Sequence, residues 1–337
     1  MHEHNRDMFP NDDLIGLYKG VYPLVVNPIV DGPFQQHEEA ANRAKRVYHR
    51  RGRIALLLVL ISAIYTVAEA FVIPPFDGRE ILSLVAIVAM FLGLATQIHL
   101  FLTKTKQAWL MNRFAAERLR SIKFQAYRVA PLAETIADLE ALVVAFSAAE
   151  VARLHAELNA DEASLAAFSP IGAVAPAPAG TIAANQASAE IAKRSYRDLR
   201  INYQLAFARG EVLKLKQRQR VGYTVGDILY LLGGVLAFLA LGCRLLFPEA
   251  RMATHWIDFL AVASFIIGLT RTIMDNASLA DVSRLRYEEY VRMLSECDRE
   301  LDTEGADLDR TVRHMERVVL EELRQFCQSA YQISYRL

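Results

Sequence analysis

Cysteine, tryptophan and net charge are all scarce in this sequence. The three cysteines, Cys243, Cys297 and Cys327, stand far apart and match no metal-ligand or redox spacing, which points to free thiols. Lysine plus arginine equals aspartate plus glutamate at 38 each, so no global field is available to attract nucleic acid. Also missing are a GxxxxGK phosphate loop, a GxGxxG after a strand, and the HExxH, GxSxG and CxxC patterns. With no catalytic, metal or cofactor constellation to point to, the chain reads as non-enzymatic. His2, Glu3 and His4 have no further ligands nearby, His99 reads as an interfacial or packed imidazole, and His314 as a solvated one. No cleavable signal peptide is recognisable, because the first apolar run begins only after residue 50 and lacks a short apolar region with a cleavage site. The apolar runs themselves are expected to direct insertion.

What the chain has is long hydrophobic runs. Apolar residues make up 53% of a sequence that is also 23% charged, and they gather in four territories. The first two are IALLLVLISAIYTVAEAFVI, whose ionisable residue is Glu69, and ILSLVAIVAMFLGLATQIHLFL, with titratable His99. A turn of seven residues, Pro74-Pro75-Phe76-Asp77-Gly78-Arg79-Glu80, joins them. Each run can cross ~30 Å of hydrocarbon at ~1.5 Å per residue, and a lone backbone in lipid must be helical to satisfy its own hydrogen bonds. A third run, VGDILYLLGGVLAFLALGCRLLF, is followed by a turn over 248–255 and a fourth, WIDFLAVASFIIGLTRTIM. The fourth has a short uninterrupted core between Asp258 and Arg271, with Trp256 and Arg271 placed as interfacial anchors.

The intervening sequence divides the chain. Residues 1–35 lack periodicity and read as an irregular lead-in, and a charged helical pattern starts near Gln36 and feeds the first span. The first two-span domain is expected over 36–158, with spans at about 54–73 and 81–102. After them Met111, Ala115, Leu119, Ile122 and Ala126 form an apolar stripe, with Arg113, Glu117, Arg118, Arg120 and Lys123 on the other face. Residues 159–188 are an Ala/Pro/Ser linker. The second domain is expected over 189–337, with spans at about 225–247 and 256–274. Leu308, Val312, Met315, Val319, Leu323, Phe326 and Ala330 step by four and three, a near-heptad coiled-coil seam suited to helix pairing. The fold class is therefore an all-α membrane protein of two transmembrane helical hairpins, four spans, each flanked by long cytoplasmic amphipathic helices.

Orientation follows from basic residues. Arg43, Lys45, Arg46, Arg50, Arg51 and Arg53 precede the first span and Lys104, Lys106 and Arg113 follow the second, whereas the turn between has Arg79 offset by Asp77 and Glu80. Lys214, Lys216, Arg218 and Arg220 before the third run, with Arg271, Arg284 and Arg286 after the fourth, repeat the bias. The positive-inside rule places both termini in the cytoplasm of a multi-pass inner-membrane protein. Polar residues within the runs are candidate pore or intramembrane groups. Glu69 has three readings: lining an aqueous path, pairing with a neighbouring helix, or reaching the outer headgroups. Asp227, Arg244 and Asp258 lie near run ends and read as interfacial, with Arg244 and Asp258 at matching depth for a pair. Ala89 with Gly93, Gly222 with Gly226 and Gly233 with Ala237 are small residues four apart, candidates for close helix packing and self-association into a homo-oligomer.

The layout of a basic helix, two closely spaced spans and a following helix with an aromatic, an arginine and a glutamate resembles the SLATT family. These are prokaryotic two-transmembrane effector domains named for association with SMODS nucleotidyltransferases and SLOG sensor domains. The residues that carry the resemblance are Trp109-Leu-Met-Asn-Arg113-Phe-Ala-Ala-Glu117-Arg-Leu and, more loosely, Arg286-Tyr-Glu-Glu-Tyr290. It covers roughly 36–158 and 189–335, as a tandem whose second copy lacks the tryptophan. The resemblance implies an effector of prokaryotic antiphage conflict that assembles and breaches the membrane on a cytoplasmic signal. It also implies a separately encoded sensor or nucleotide second-messenger synthetase as partner. The alternative is a membrane-anchored helical scaffold without a conducting pore, and a small transporter is disfavoured because no span is broken by Gly and Pro.

Overall fold

The computed structural model describes residues 5–71, 79–160, 174–175, 186–246, 251–276, 280–303 and 307–332. For residues 79, 101, 159–160, 186–187, 218–227, 230, 241–246, 251–254, 271–276, 280–281 and 331–332 only the backbone is described. Eleven α-helices carry these residues: α1 (Asp12–Leu17), α2 (Tyr22–Val25), α3 (Pro28–Phe71), α4 (Arg79–Leu102), α5 (Thr105–Gln125), α6 (Ile136–Ala160), α7 (Gln186–Tyr196), α8 (Tyr203–Leu246), α9 (Arg251–Asn276), α10 (Ala280–Asp302) and α11 (Leu308–Gln332). There is no strand among the described residues, in keeping with the all-α reading. Two compact units form, and each draws on both sequential halves of the chain. Unit 1 comprises Met1–Arg43, Ala108–Lys214 and Val282–Tyr331; unit 2 comprises Ala44–Gln107, Leu215–Asp281 and Gln332–Leu337.

Unit 1 is built from helices whose starts are written in the sequence. Thr135 caps α6: its hydroxyl accepts from the Asp138 amide at 3.1 Å while the Asp138 carboxylate accepts from the Thr135 amide at 3.0 Å, a reciprocal capping box. Asp307 caps α11 by accepting from the Asp309 amide at 3.0 Å. Pro28 opens α3 at a position where its missing N–H costs nothing, and Asp31 reaches back to the Asn27 amide at 3.0 Å. Residues 1–35, expected to be irregular, contain α1, α2 and the start of α3. They fold because their apolar residues are anchored: Met8, Tyr18, Val21, Leu24, Val25, Val30 and Phe34 all lie in the unit's core.

Two further expectations change in unit 1. The seam of α11 is spent within the chain: Val312, Met315 and Val319 are buried in the same core as Leu119, Leu199 and Leu294, and Leu323 packs with Phe114. It therefore offers no free coiled-coil face. The charged face of α5 is not solvated either. Every residue of α5 from Phe114 to Gln125 is buried, Glu117, Arg118, Arg120 and Lys123 included. Charged side chains are tolerated there because Arg118, Arg120 and Lys123 meet Glu157, Asp7 and Asp31 from other segments, and Glu117 meets Arg113 and Arg120 of α5 itself.

Unit 2 contains both apolar pairs. In the first, α4 lies so close to α3 that a Cβ on Gly93 would stand 2.8 Å from Val59 Cγ2 and 3.0 Å from the Ala55 carbonyl oxygen. The Ser62 hydroxyl donates to the Ala86 carbonyl across the same contact. In the second, a Cβ on Gly233 of α8 would stand 3.2 Å from the Ala261 carbonyl oxygen of α9. On α4 Ala86 and Gly93 are buried and on α8 Gly233 and Ala240, whereas Ala89 is half-buried and Ala237 exposed. Gly222 and Gly226 lie outside the described side chains.

The long apolar helices do not bury their hydrophobic surface. Among the described residues two helices are long and apolar enough to cross a membrane, α3 and the stretch Glu80–Leu100 of α4; only 17% and 11% of their most apolar windows are buried. Leu231–Ala240 and His255–Thr270 are shorter apolar stretches. The helix α9 begins at Arg251, so the turn expected over 248–255 yields most of its length to helix.

Candidate functional site

Unit 1 holds a network of buried charges centred on α5. Arg113 donates to Glu38 at 2.9 Å and lies 2.6 Å from Glu117. One helical turn on, Arg120 donates to both carboxylate oxygens of Glu117, at 2.8 and 3.1 Å, and to the Asn5 side chain at 2.6 Å. Its Nε also lies 3.2 Å from Asp7. Lys123 then donates to Asp31 at 2.9 Å and to the Met8 carbonyl at 2.6 Å. The spacing of these cations along α5 puts them on one face, and the N-terminal segment and start of α3 supply the carboxylates.

A second arm enters from the segment Arg197–Asn202, which is a π-helix between α7 and α8. Its wider turn places Arg200 wholly in the core, where the guanidinium donates to both oxygens of Glu316 on α11 at 2.8 Å each. A π-turn inside an α-helix is uncommon and recurs at functional positions. Arg200 Nη1 is also 3.9 Å from Asp7, so Asp7 sits between two buried arginines. The guanidinium of Arg200 lies 4.7 Å from the centroid of Phe124, and that of Arg120 lies 5.0 Å from Phe34. Phe124, Tyr127 and Tyr196 form a ring cluster with centroids 5.4–6.1 Å apart.

These environments move protonation equilibria in opposite directions. Burial works against the Glu117 charge, but Arg113, Arg120 and Arg200 together hold its carboxyl below the usual glutamate range. Burial is the larger effect at Asp31 and pushes it up despite Lys123; burial likewise lowers Lys123. Glu322, paired with Arg286 at 2.9 Å, is raised by burial too. The thiols of Cys297 and Cys327 are free, buried and pushed up to about 12. Among the described residues no group of three or more His, Cys, Asp or Glu is placed to hold a metal.

Of the residues singled out by sequence, Trp109, Arg113 and Glu117 are brought into this region. Trp109 is buried edge-on to Phe326, centroids 6.1 Å apart, and Arg113 and Glu117 form the first link of the network. Arg286, in the looser second motif, stacks on Tyr287 and Phe326. Asp7, Arg200 and Glu316 were not singled out, and Arg120 and Lys123 were read only as part of a charged face. The readable signal was Glu316, one residue from Met315 on the apolar side of α11, and the run of charges on α5 with no residue that needs solvent. Their partners lie about a hundred residues away, beyond the reach of periodicity.

In unit 2 Glu69 is half-buried and accepts from Ser83 of α4 at 2.8 Å, with the Tyr65 hydroxyl 3.4 Å from the same serine. Asp258 is half-buried. Asp227 and Arg244 lie outside the described side chains, and so does the pairing of Arg244 with Asp258. His99 is exposed and its Nε2 lies 3.3 Å from Arg51. His314 lies 2.9 Å from Glu300 instead of standing alone in solvent.

No curated protein and no solved structure is matched by the chain. Residues 32–143, which hold the end of the N-terminal segment, the first apolar pair, all of α5 and the start of α6, match the family model described as SMODS and SLOG-associating 2TM effector domain 3. The buried Trp109, the Arg113–Glu117 link and the close α3–α4 hairpin thus fall inside the match, so this part of the chain is similar to the SLATT family of two-transmembrane effector domains.

Proposed function

We propose that the protein is a non-enzymatic membrane effector in which unit 2 supplies membrane-spanning hairpins and unit 1 a cytoplasmic body that receives a signal. The observation that carries this reading is the exposure of the apolar faces of α3 and α4. Leu57, Ile61, Ile87, Phe91 and Ile98 all stand in the open, where a soluble protein would bury or cover so large a patch. Leu231, Phe238, Leu260 and Phe265 do the same on α8 and α9, which supports two further spans and a second hairpin of the same kind. In this reading the basic residues flanking all four runs put both termini on the cytoplasmic side of the inner membrane.

Four spans are too few to enclose a conducting path, so a pore in this reading is oligomeric, and the assembly face lies on the hairpins because the α11 seam is occupied. The matched family's name associates such domains with SMODS and SLOG systems; in this reading a separately encoded sensor or nucleotide second-messenger synthetase provides the trigger, in antiphage defence. A tethered scaffold is the second reading, and the pairing of Glu69 with Ser83 favours it, since a carboxylate engaged within its own hairpin has less to offer an aqueous path.

Membrane-potential dye retention during phage infection separates the two. Cells protected by the gene should depolarise on infection while cells lacking it do not, and Glu69→Ala at equal membrane abundance should weaken the collapse if that residue borders the path. Protection with an intact potential would overturn the pore and leave the scaffold.

A further inference from the structure

The helix α3 changes character at Ile54 without changing face. Arg46, Arg50, Arg53, Ile54, Leu57 and Ile61 are all exposed, and at about 100° per residue they fall within about a 100° arc. On the opposite side Tyr48, Gly52, Ala55 and Leu56 are buried. The exposed stripe is therefore basic for its first two turns and apolar for the next two. Among the described residues none of Arg46, Arg50 and Arg53 has an ion-pair partner, whereas neighbouring Arg51, off this face, lies against His99.

We infer that this stripe is a binding site for one anionic diacyl phospholipid, its phosphate held by the arginines and its acyl chains lying along Leu57 and Ile61. The inference rests on the reading of α3 as a membrane span. The charge and the apolar surface have the same order as headgroup and chain in a cytoplasmic leaflet. Arg53 and Arg50 stand within one turn of the apolar stretch, inside the depth of a headgroup layer, and Arg46 reaches down from one turn further out. Three guanidiniums in line with an apolar surface fit a lipid rather than a free phosphate, which would use only half of the stripe. Basic side chains at such a surface each contribute roughly fivefold in affinity for anionic lipid.

The test uses the full chain purified in mild detergent, supplied with equal amounts of dioleoyl-phosphatidylglycerol and dioleoyl-phosphatidylcholine, with bound lipid read by native mass spectrometry. The wild type should retain phosphatidylglycerol in a preference of at least about tenfold, three such contributions together allowing up to about a hundredfold. The triple variant Arg46→Gln/Arg50→Gln/Arg53→Gln should fall to parity, and Arg292→Gln/Arg299→Gln on α10 should not. Excess inorganic phosphate should leave the lipid bound. A triple variant that keeps the preference, a wild type without one, or displacement by phosphate would each overturn the site. Resistance of each variant to alkaline carbonate extraction from membranes is read in parallel. A wild type that resists extraction but shows no lipid preference sinks the headgroup site alone; a wild type that is extracted sinks the span.

Discussion

Arg200 and Glu316 have no exposed atoms and donate and accept through two parallel bonds. A pair of this kind gains little over an apolar pair of similar volume, because both charges give up hydration, but breaking it strands a charge in the core. Glu316→Ala should therefore cost about 3–5 kcal/mol of unfolding free energy, and Arg200→Met/Glu316→Leu should cost much less than that single change. Chemical denaturation of the full chain in detergent, followed by loss of helix signal, checks the order; equal losses for the single and double variants would contradict it. The residues of this network were the least legible part of the sequence. Arg113, Glu117 and Arg120 occupy the face that an amphipathic reading assigns to water, and what overrides that reading is the arrival of Asp7 and Glu38 from two other segments. The tryptophan-arginine-glutamate pattern was legible because it is local, spaced by fours along one helix.

Helix contacts in unit 2 are set by which residues lack bulk. A Cβ at Gly93 meets backbone and a β-branched side chain that cannot move independently, at Gly233 it meets a carbonyl oxygen at 3.2 Å, and at Gly234 nothing lies within 4 Å. Gly93→Ala should destabilise most, by roughly 1–3 kcal/mol, Gly233→Ala less, and Gly234→Ala least. The temperature of aggregation in detergent reads this order, and equal effects at Gly93 and Gly234 would contradict the packing. At this scale the sequence was most informative. The runs around Leu57 and Phe91 announce helices by continuous apolarity alone, and Thr135 with Asp138 announces a start. The α11 seam was readable as a packing face, but periodicity does not say which chain fills it, and here Leu199 and Leu294 of the same chain do. The N-terminal helices escaped because α1 and α2 are too short for a period to develop.

For the molecule as a whole, the apolar surfaces of α3, α4, α8 and α9 and the buried charges of unit 1 belong to opposite solvents. Hydrocarbon suits the exposed leucines, isoleucines and phenylalanines of unit 2, while the exposed pairs of α10, such as Arg292 with Glu296 at 2.7 Å, need water. The proposed arrangement, four crossings with every charged helix on the cytoplasmic side, would satisfy both demands, with the direction set by the positive-inside rule. The most direct test is labelling of single cysteines in intact cells with a membrane-impermeant maleimide, in a Cys243→Ala/Cys297→Ala/Cys327→Ala background. Asp77→Cys and Glu249→Cys should both label from outside, and Thr303→Cys only after permeabilisation. A Glu249→Cys that labels only in permeabilised cells would contradict the second hairpin, and outside labelling of Thr303→Cys would contradict the cytoplasmic placement of unit 1.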